Sequence, residues 1–148
     1  MDANALVRAS ARSEGPAREL LDLIRQEQCH VLVVSRYLLA EVRRALGYPR
    51  LQAIYGLSDQ DIEEHIRLLE EVATIVEPTI AELVVRRDPA DDPIVHAAVE
   101  GRVDVLCTKD RAFYDPDVIA YCGQRGIQVM DDVDLLHELR SREYGPER

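Results

Sequence analysis

Val103-Asp104-Val105-Leu106-Cys107-Thr108-Lys109-Asp110 is a short apolar run that ends in a carboxylate. It reads as a buried strand over 103–108, of the near-continuous apolar type found where both faces of a parallel sheet are covered. Working outward, His30–Val34 and Thr74–Val76 have the same character, and Ile127–Val129 is a last short strand. Helical patterns separate them. Asn4 caps a helix over 5–13, and Pro16 opens one over 17–28. Ser35 caps a helix over 37–46, and Gly47 and Pro49 end it. Residues 50–57 form a helical turn. Ser58-Asp59-Gln60-Asp61 starts a helix to about Ala73, with the stripe Ile62, Ile66, Leu69 and Val72. Residues 80–85 fit strand or helix equally. Pro93 opens a helix to about Glu100, residues 112–124 hold one or two short helical pieces, and Asp131-Asp132 cap a helix to about Arg140. This alternation predicts an α/β fold, a three-layer α/β/α sandwich around a short parallel sheet. Residues 1–141 make one domain and 142–148 a loose tail.

With 148 residues the chain can bury a sizeable core. No apolar run reaches the roughly 20 residues of a membrane span, and no secretion signal is visible, so a cytoplasmic location is expected. Cys29, Cys107 and Cys122 lack the spacing of a zinc site and read as reduced thiols. The net charge of −10, from 28 acids against 18 bases, disfavours a bulk nucleic-acid-binding module. It is compatible with a site that concentrates carboxylates around a cation, and with a basic partner chain. Among the bases 17 are Arg and one is Lys.

In parallel sheets, sites form beyond the carboxyl ends of the strands. Asp110 follows the 103–108 strand directly. Glu41 lies at the edge of the apolar face of the 37–46 helix, Asp92 begins the helix before the 103–108 strand, and Asp2 precedes the first helix. Crowded carboxylates repel one another unless a cation neutralises them. Oxygen donors suit Mg2+ or Mn2+, ions that activate water for phosphodiester hydrolysis. Taken singly, each acid also reads as something plainer. Asp92 and Asp110 read as helix caps, Glu41 as a solvated helix-edge charge, and Asp2 as a disordered terminal residue. Among the basic side chains, Arg43, Arg44 and Arg50 form one group that could face RNA, and Arg86 and Arg87 another. Tyr48, Tyr55 and Tyr114 could stack on bases or simply pack. His65 and His137 read as helix-surface residues and His96 as packed.

These residues resemble the PIN-domain nucleases, in particular the VapC-like toxins of toxin–antitoxin systems. Asp2-Ala3-Asn4 is similar to the Asp-Thr-Asn that closes the family's first strand. Leu39-Ala40-Glu41-Val42 resembles the helix segment that carries its Glu. Asp88-Pro89-Ala90-Asp91-Asp92-Pro93-Ile94 resembles its Asp-x-x-Asp-Asp-Pro turn, and Thr108-Lys109-Asp110 its Thr-x-Asp motif. The resemblance implies an Mg2+- or Mn2+-dependent ribonuclease with Asp2, Glu41, Asp92 and Asp110 as metal-binding catalytic acids. It implies that Asn4 orients Asp2, that Thr108 helps hold the site, and that Asp115 or Asp117 stands in for a further acid. The implied partners are RNA, a cognate antitoxin and a second copy in a homodimer, with no membrane. The family's apolar first strand is absent before Asp2, so a truncated N-terminal strand and an untethered Asp2 are expected. Either the true start lies upstream or the chain is a shortened version. Two other readings stay open: a non-catalytic PIN-like partner-binding protein, and a receiver-type signalling domain built on acids and Lys109.

Overall fold

The computed structural model describes residues 1–10, 14–27, 29–79 and 82–143. Eight α-helices alternate with four three-residue strands among these residues. Helix α1 spans Ala3–Arg8, α2 Pro16–Glu27, α3 Arg36–Leu46, α4 Pro49–Tyr55 and α5 Asp59–Val72. Helix α6 spans Asp92–Glu100, α7 Pro116–Gly123 and α8 Asp132–Glu143. Strands β1 (Val33–Ser35) and β2 (Thr74–Val76) pair in parallel, as do β3 (Val105–Cys107) and β4 (Gln128–Met130). Short 3-10 turns fill Pro89–Asp91 and Arg111–Tyr114.

The fold is α/β with short parallel strands, as expected, but among the described residues the strands form two pairs rather than one continuous sheet. Asp2 lies alongside β3, and its N–H donates to Cys107 O at 2.9 Å. That bond, with burial, holds Asp2 in place, so the untethered terminus expected from the sequence is not what the structure shows. Asp2 also displaces Asn4 as the cap of α1: its Oδ1 accepts from Ala5 N–H at 2.9 Å.

Local chemistry sets most other boundaries. Ser35 Oγ accepts from Leu38 N–H and starts α3. At α5, Ser58 and Asp61 satisfy each other's backbone N–H groups in a reciprocal capping box. Gly56 stops α4 in the left-handed conformation that glycine tolerates, at φ 62°. The core runs from α1 (Leu6, Val7) through β1 (Val34) and α3 (Leu38, Val42) to Leu106 and Phe113. Residues 82–85 belong to neither helix nor strand, while 80–81 lie outside the described residues. Helix α8 continues to Glu143, past the expected domain end at residue 141, and 144–148 lie outside the described residues. So does the 11–13 end of the first predicted helix.

Candidate active site

Three elements bring carboxylates together beyond the ends of β1 and β3. Asp2 is buried at the mouth of α1. Its Oδ2 accepts the Thr108 hydroxyl at 2.5 Å, and Thr108 Oγ1 accepts Asp110 N–H at 3.0 Å. The fully buried Thr108 therefore joins two acids that are 108 positions apart in the chain. Asp110 Oδ1 caps the following 3-10 turn through Ala112 N–H at 3.0 Å.

The third acid is Asp91. Burial, then the negative charges of Asp88, Asp110 and Asp2, and a hydrogen bond with the Asp110 side chain push its carboxyl up to about 7. Its Oδ2 is buried and has no hydrogen-bond partner. Asp92, the residue expected here, points elsewhere. Its Oδ1 accepts Val84 N–H at 3.1 Å and Val85 N–H at 2.7 Å, which ties the irregular 82–85 segment to the start of α6. The structure thus places Asp91, rather than Asp92, beside Asp110 and Asp2. Helix α6 begins at Asp92 with Pro93 in its first turn, which leaves Asp91 as the flanking residue. Asp91 makes no capping bond, so its side chain is available to the cluster. The acidic doublet before a proline was the available signal, and the choice between its members depends on the helix start.

Glu41 sits on α3, partly exposed and ion-paired with Arg44. Tyr37, one turn earlier, donates its hydroxyl to Ala90 O at 3.1 Å. Burial first, and then Glu41, Asp91 and Asp88, raise the Tyr37 hydroxyl above its ordinary pKa. Glu41 therefore stands on the side of α3 facing the Asp88–Asp91 turn.

Other expected contributors lie elsewhere. Asn4 is exposed on α1, and the contacts that orient Asp2 come from Ala5 and Thr108 instead. Asp115 binds Arg87 through two bonds of 2.8 and 2.9 Å, and Asp117 pairs with Arg86 at 3.9 Å. Those pairs occupy the Arg86–Arg87 group as well. In the other basic group, Arg43 pairs with Glu63 and Arg44 with Glu41. Lys109 reaches Asp132 at 3.4 Å, which is not the acid contact a receiver-type site calls for. His65 is buried rather than on the surface, its Nε2 3.0 Å from Leu6 O, and His96 packs with Nε2 2.7 Å from Glu82 O.

An unpaired buried carboxylate oxygen beside two further acids is a costly arrangement for the empty protein. Oxygen donors of this kind suit a hard divalent ion by their chemistry, but among the described residues Asp2, Asp91 and Asp110 do not bring three carboxylate oxygens within 4.8 Å of one another.

A family model described as PIN domain matches residues 1–112. No curated protein and no solved structure gave a significant match. The matched segment contains Asp2, Glu41, Asp91 and Asp110, and the α/β arrangement with short parallel strands agrees with it. The chain belongs to the PIN-domain family, whose general function is that of a nuclease.

Proposed function

We propose that this protein is a divalent-metal-dependent endoribonuclease acting as the toxin of a toxin–antitoxin pair in the cytoplasm. The observation that supports it most is the convergence of Asp2, Asp91 and Asp110, with the unpartnered Oδ2 of Asp91 among them. Asp2, Asp91 and Asp110 would hold Mg2+ or Mn2+, with Glu41 contributing from α3. When bound, such an ion would supply the Lewis-acid chemistry for phosphodiester hydrolysis. The chain's own residues do the remaining work. Thr108 fixes Asp2 and Asp110 relative to one another, and Asp92 fixes the loop leading into Asp91. Glu41 can accept a proton from water once Arg44 lets it go. A cognate antitoxin and a homodimeric state complete the proposal, and the acidic surface suits a basic antitoxin segment.

The test is cleavage of single-stranded RNA with Mn2+, Mg2+ or chelator. We expect the Asp110→Asn variant to lose at least a hundredfold in rate while keeping its fold. Undiminished cleavage in excess chelator would sink the metal-dependent reading. A second reading, a non-catalytic PIN-like binding protein, gains ground if no metal changes the melting temperature.

A further inference from the structure

Two tyrosines flank the acid cluster with their hydroxyls tied down and their rings open. Tyr37 is 41% exposed and donates to Ala90 O, the carbonyl just before Asp91. Tyr114 is 40% exposed and donates to Thr108 O at 2.6 Å, two residues before Asp110. Each ring is thus anchored to the backbone beside one of the acids, on the turn that presents it. A phenol fixed through its hydroxyl loses little further freedom when something stacks on its face.

Four cations around the cluster are already ion-paired, whereas Arg111, exposed directly beside Asp110, has no ion pair among the described residues. Arg44 pairs with Glu41, Lys109 with Asp132, Arg87 with Asp115 and Arg86 with Asp117. The whole chain carries −10. Near the acids, free side-chain charge for a phosphate thus comes from Arg111, and contact with the bases has to come from uncharged groups. Aromatic faces supply such contacts for every base.

From these observations we propose that Tyr37 and Tyr114 are base-stacking residues that position unpaired nucleotides on the two sides of the scissile phosphate. The inference rests on the nuclease reading and assigns two residues to hold its substrate, because unpaired bases can reach the rings whereas bases in a duplex already stack on one another.

The experiment compares wild type with Tyr37→Ala, Tyr114→Ala and the two Phe variants. Cleavage kinetics are measured on a short single-stranded RNA and on the same RNA with abasic residues flanking the cut. Each Ala variant is expected to raise KM on the order of tenfold, with a smaller effect on kcat. The Phe variants keep the ring but lose the hydroxyl anchor, so their KM should fall between those of wild type and the Ala variants. On the abasic RNA, wild type and the Ala variants should have the same KM. A purely structural role predicts instead that the Ala penalty persists on the abasic RNA, and that result overturns the proposal. So does equal use of duplex RNA, or Ala variants that match wild type on the normal substrate while wild type cleaves. Absence of RNA binding and cleavage by wild type removes the nuclease reading itself, and this inference with it.

Discussion

Replacing Asp91 with Asn should stabilise the metal-free protein, although it removes a residue of the proposed site. Asp91 sits half-buried beside Asp88, Asp110 and Asp2, with its carboxyl raised from 3.8 to about 7. At about 1.4 kcal/mol per tenfold change in proton affinity, ionising it there costs at most about 4 kcal/mol. Partial solvent screening reduces this to about 1–2 kcal/mol. The sign follows from proton linkage. The folded state holds the Asp91 proton more tightly than the unfolded chain. Stability from this group is therefore fully present below pH 3.8 and is lost as pH rises through about 7. An Asn keeps the shape and carries no charge. At pH 8 without metal, D91N should melt about 2–8 °C above wild type. At pH 5 the gap should be smaller, and it should vanish only below pH 3.8, where the unfolded chain takes up the proton as well. Saturating Mn2+ should raise the wild-type melting temperature and leave that of D91N nearly unmoved. Differential scanning fluorimetry across pH, with and without Mn2+, reads all of these. Equal melting of the two proteins at pH 8 and an equal Mn2+ shift would refute Asp91 as a cluster member.

His65 gives a pH dependence of opposite sign. Burial, with Arg18 nearby, lowers its pKa below 6.5, so the stability it contributes is present above 6.5 and is lost as pH falls through the lower folded value. H65Q should flatten that acid limb, and parallel denaturation profiles for wild type and H65Q between about pH 5 and 6.5 would contradict this. Thr108→Val removes the hydroxyl shared by Asp2 and Asp110 and should cost about 1–3 kcal/mol in urea denaturation; a neutral result would mean that the relay contributes nothing net. A Cβ added at Gly101 lies 2.5 Å from Val33 Cγ1 and 3.1 Å from Ala97 O, so G101A should destabilise by about 1–3 kcal/mol through overpacking where α6 meets β1. An unchanged midpoint would show that Val33 moves aside at no cost.

The elements were legible where local chemistry decides them. Ser35, the Ser58–Asp61 box and Pro93 each fixed a helix start through backbone groups that a side chain or ring must satisfy or replace. Thr74–Val76 was read to the residue. Harder cases depend on contacts distant in sequence. His65 lies on a helix whose polar pattern suggests solvent, yet α1 covers it and Leu6 O takes its ring nitrogen. Asn4 and Asp2 are both good caps, and only the bond from Asp2 N–H to Cys107 O decides between them. Arg86 and Arg87 looked available for RNA because their partners, Asp117 and Asp115, lie about 30 residues further on.

The choice between Asp91 and Asp92 shows how one residue of offset separates support from chemistry. Both are acids next to each other at the start of α6, and composition cannot rank them. Asp92 spends its Oδ1 on two backbone N–H groups, which lowers the cost of its burial and gives the 82–85 segment a fixed end. Asp91 has no such compensation at its Oδ2 and faces other negative charges. A buried carboxylate oxygen left in that state destabilises the empty fold, and a proton or a cation relieves it. The two pay-offs differ with pH: below about 7 the proton suffices, and above it the cation is favoured. Metal affinity should therefore rise as pH climbs through 7, in step with the loss of the Asp91 proton. The support acid beside it, already satisfied by backbone, should contribute no such pH dependence, so D92N should lower stability while leaving the slope of metal affinity against pH intact.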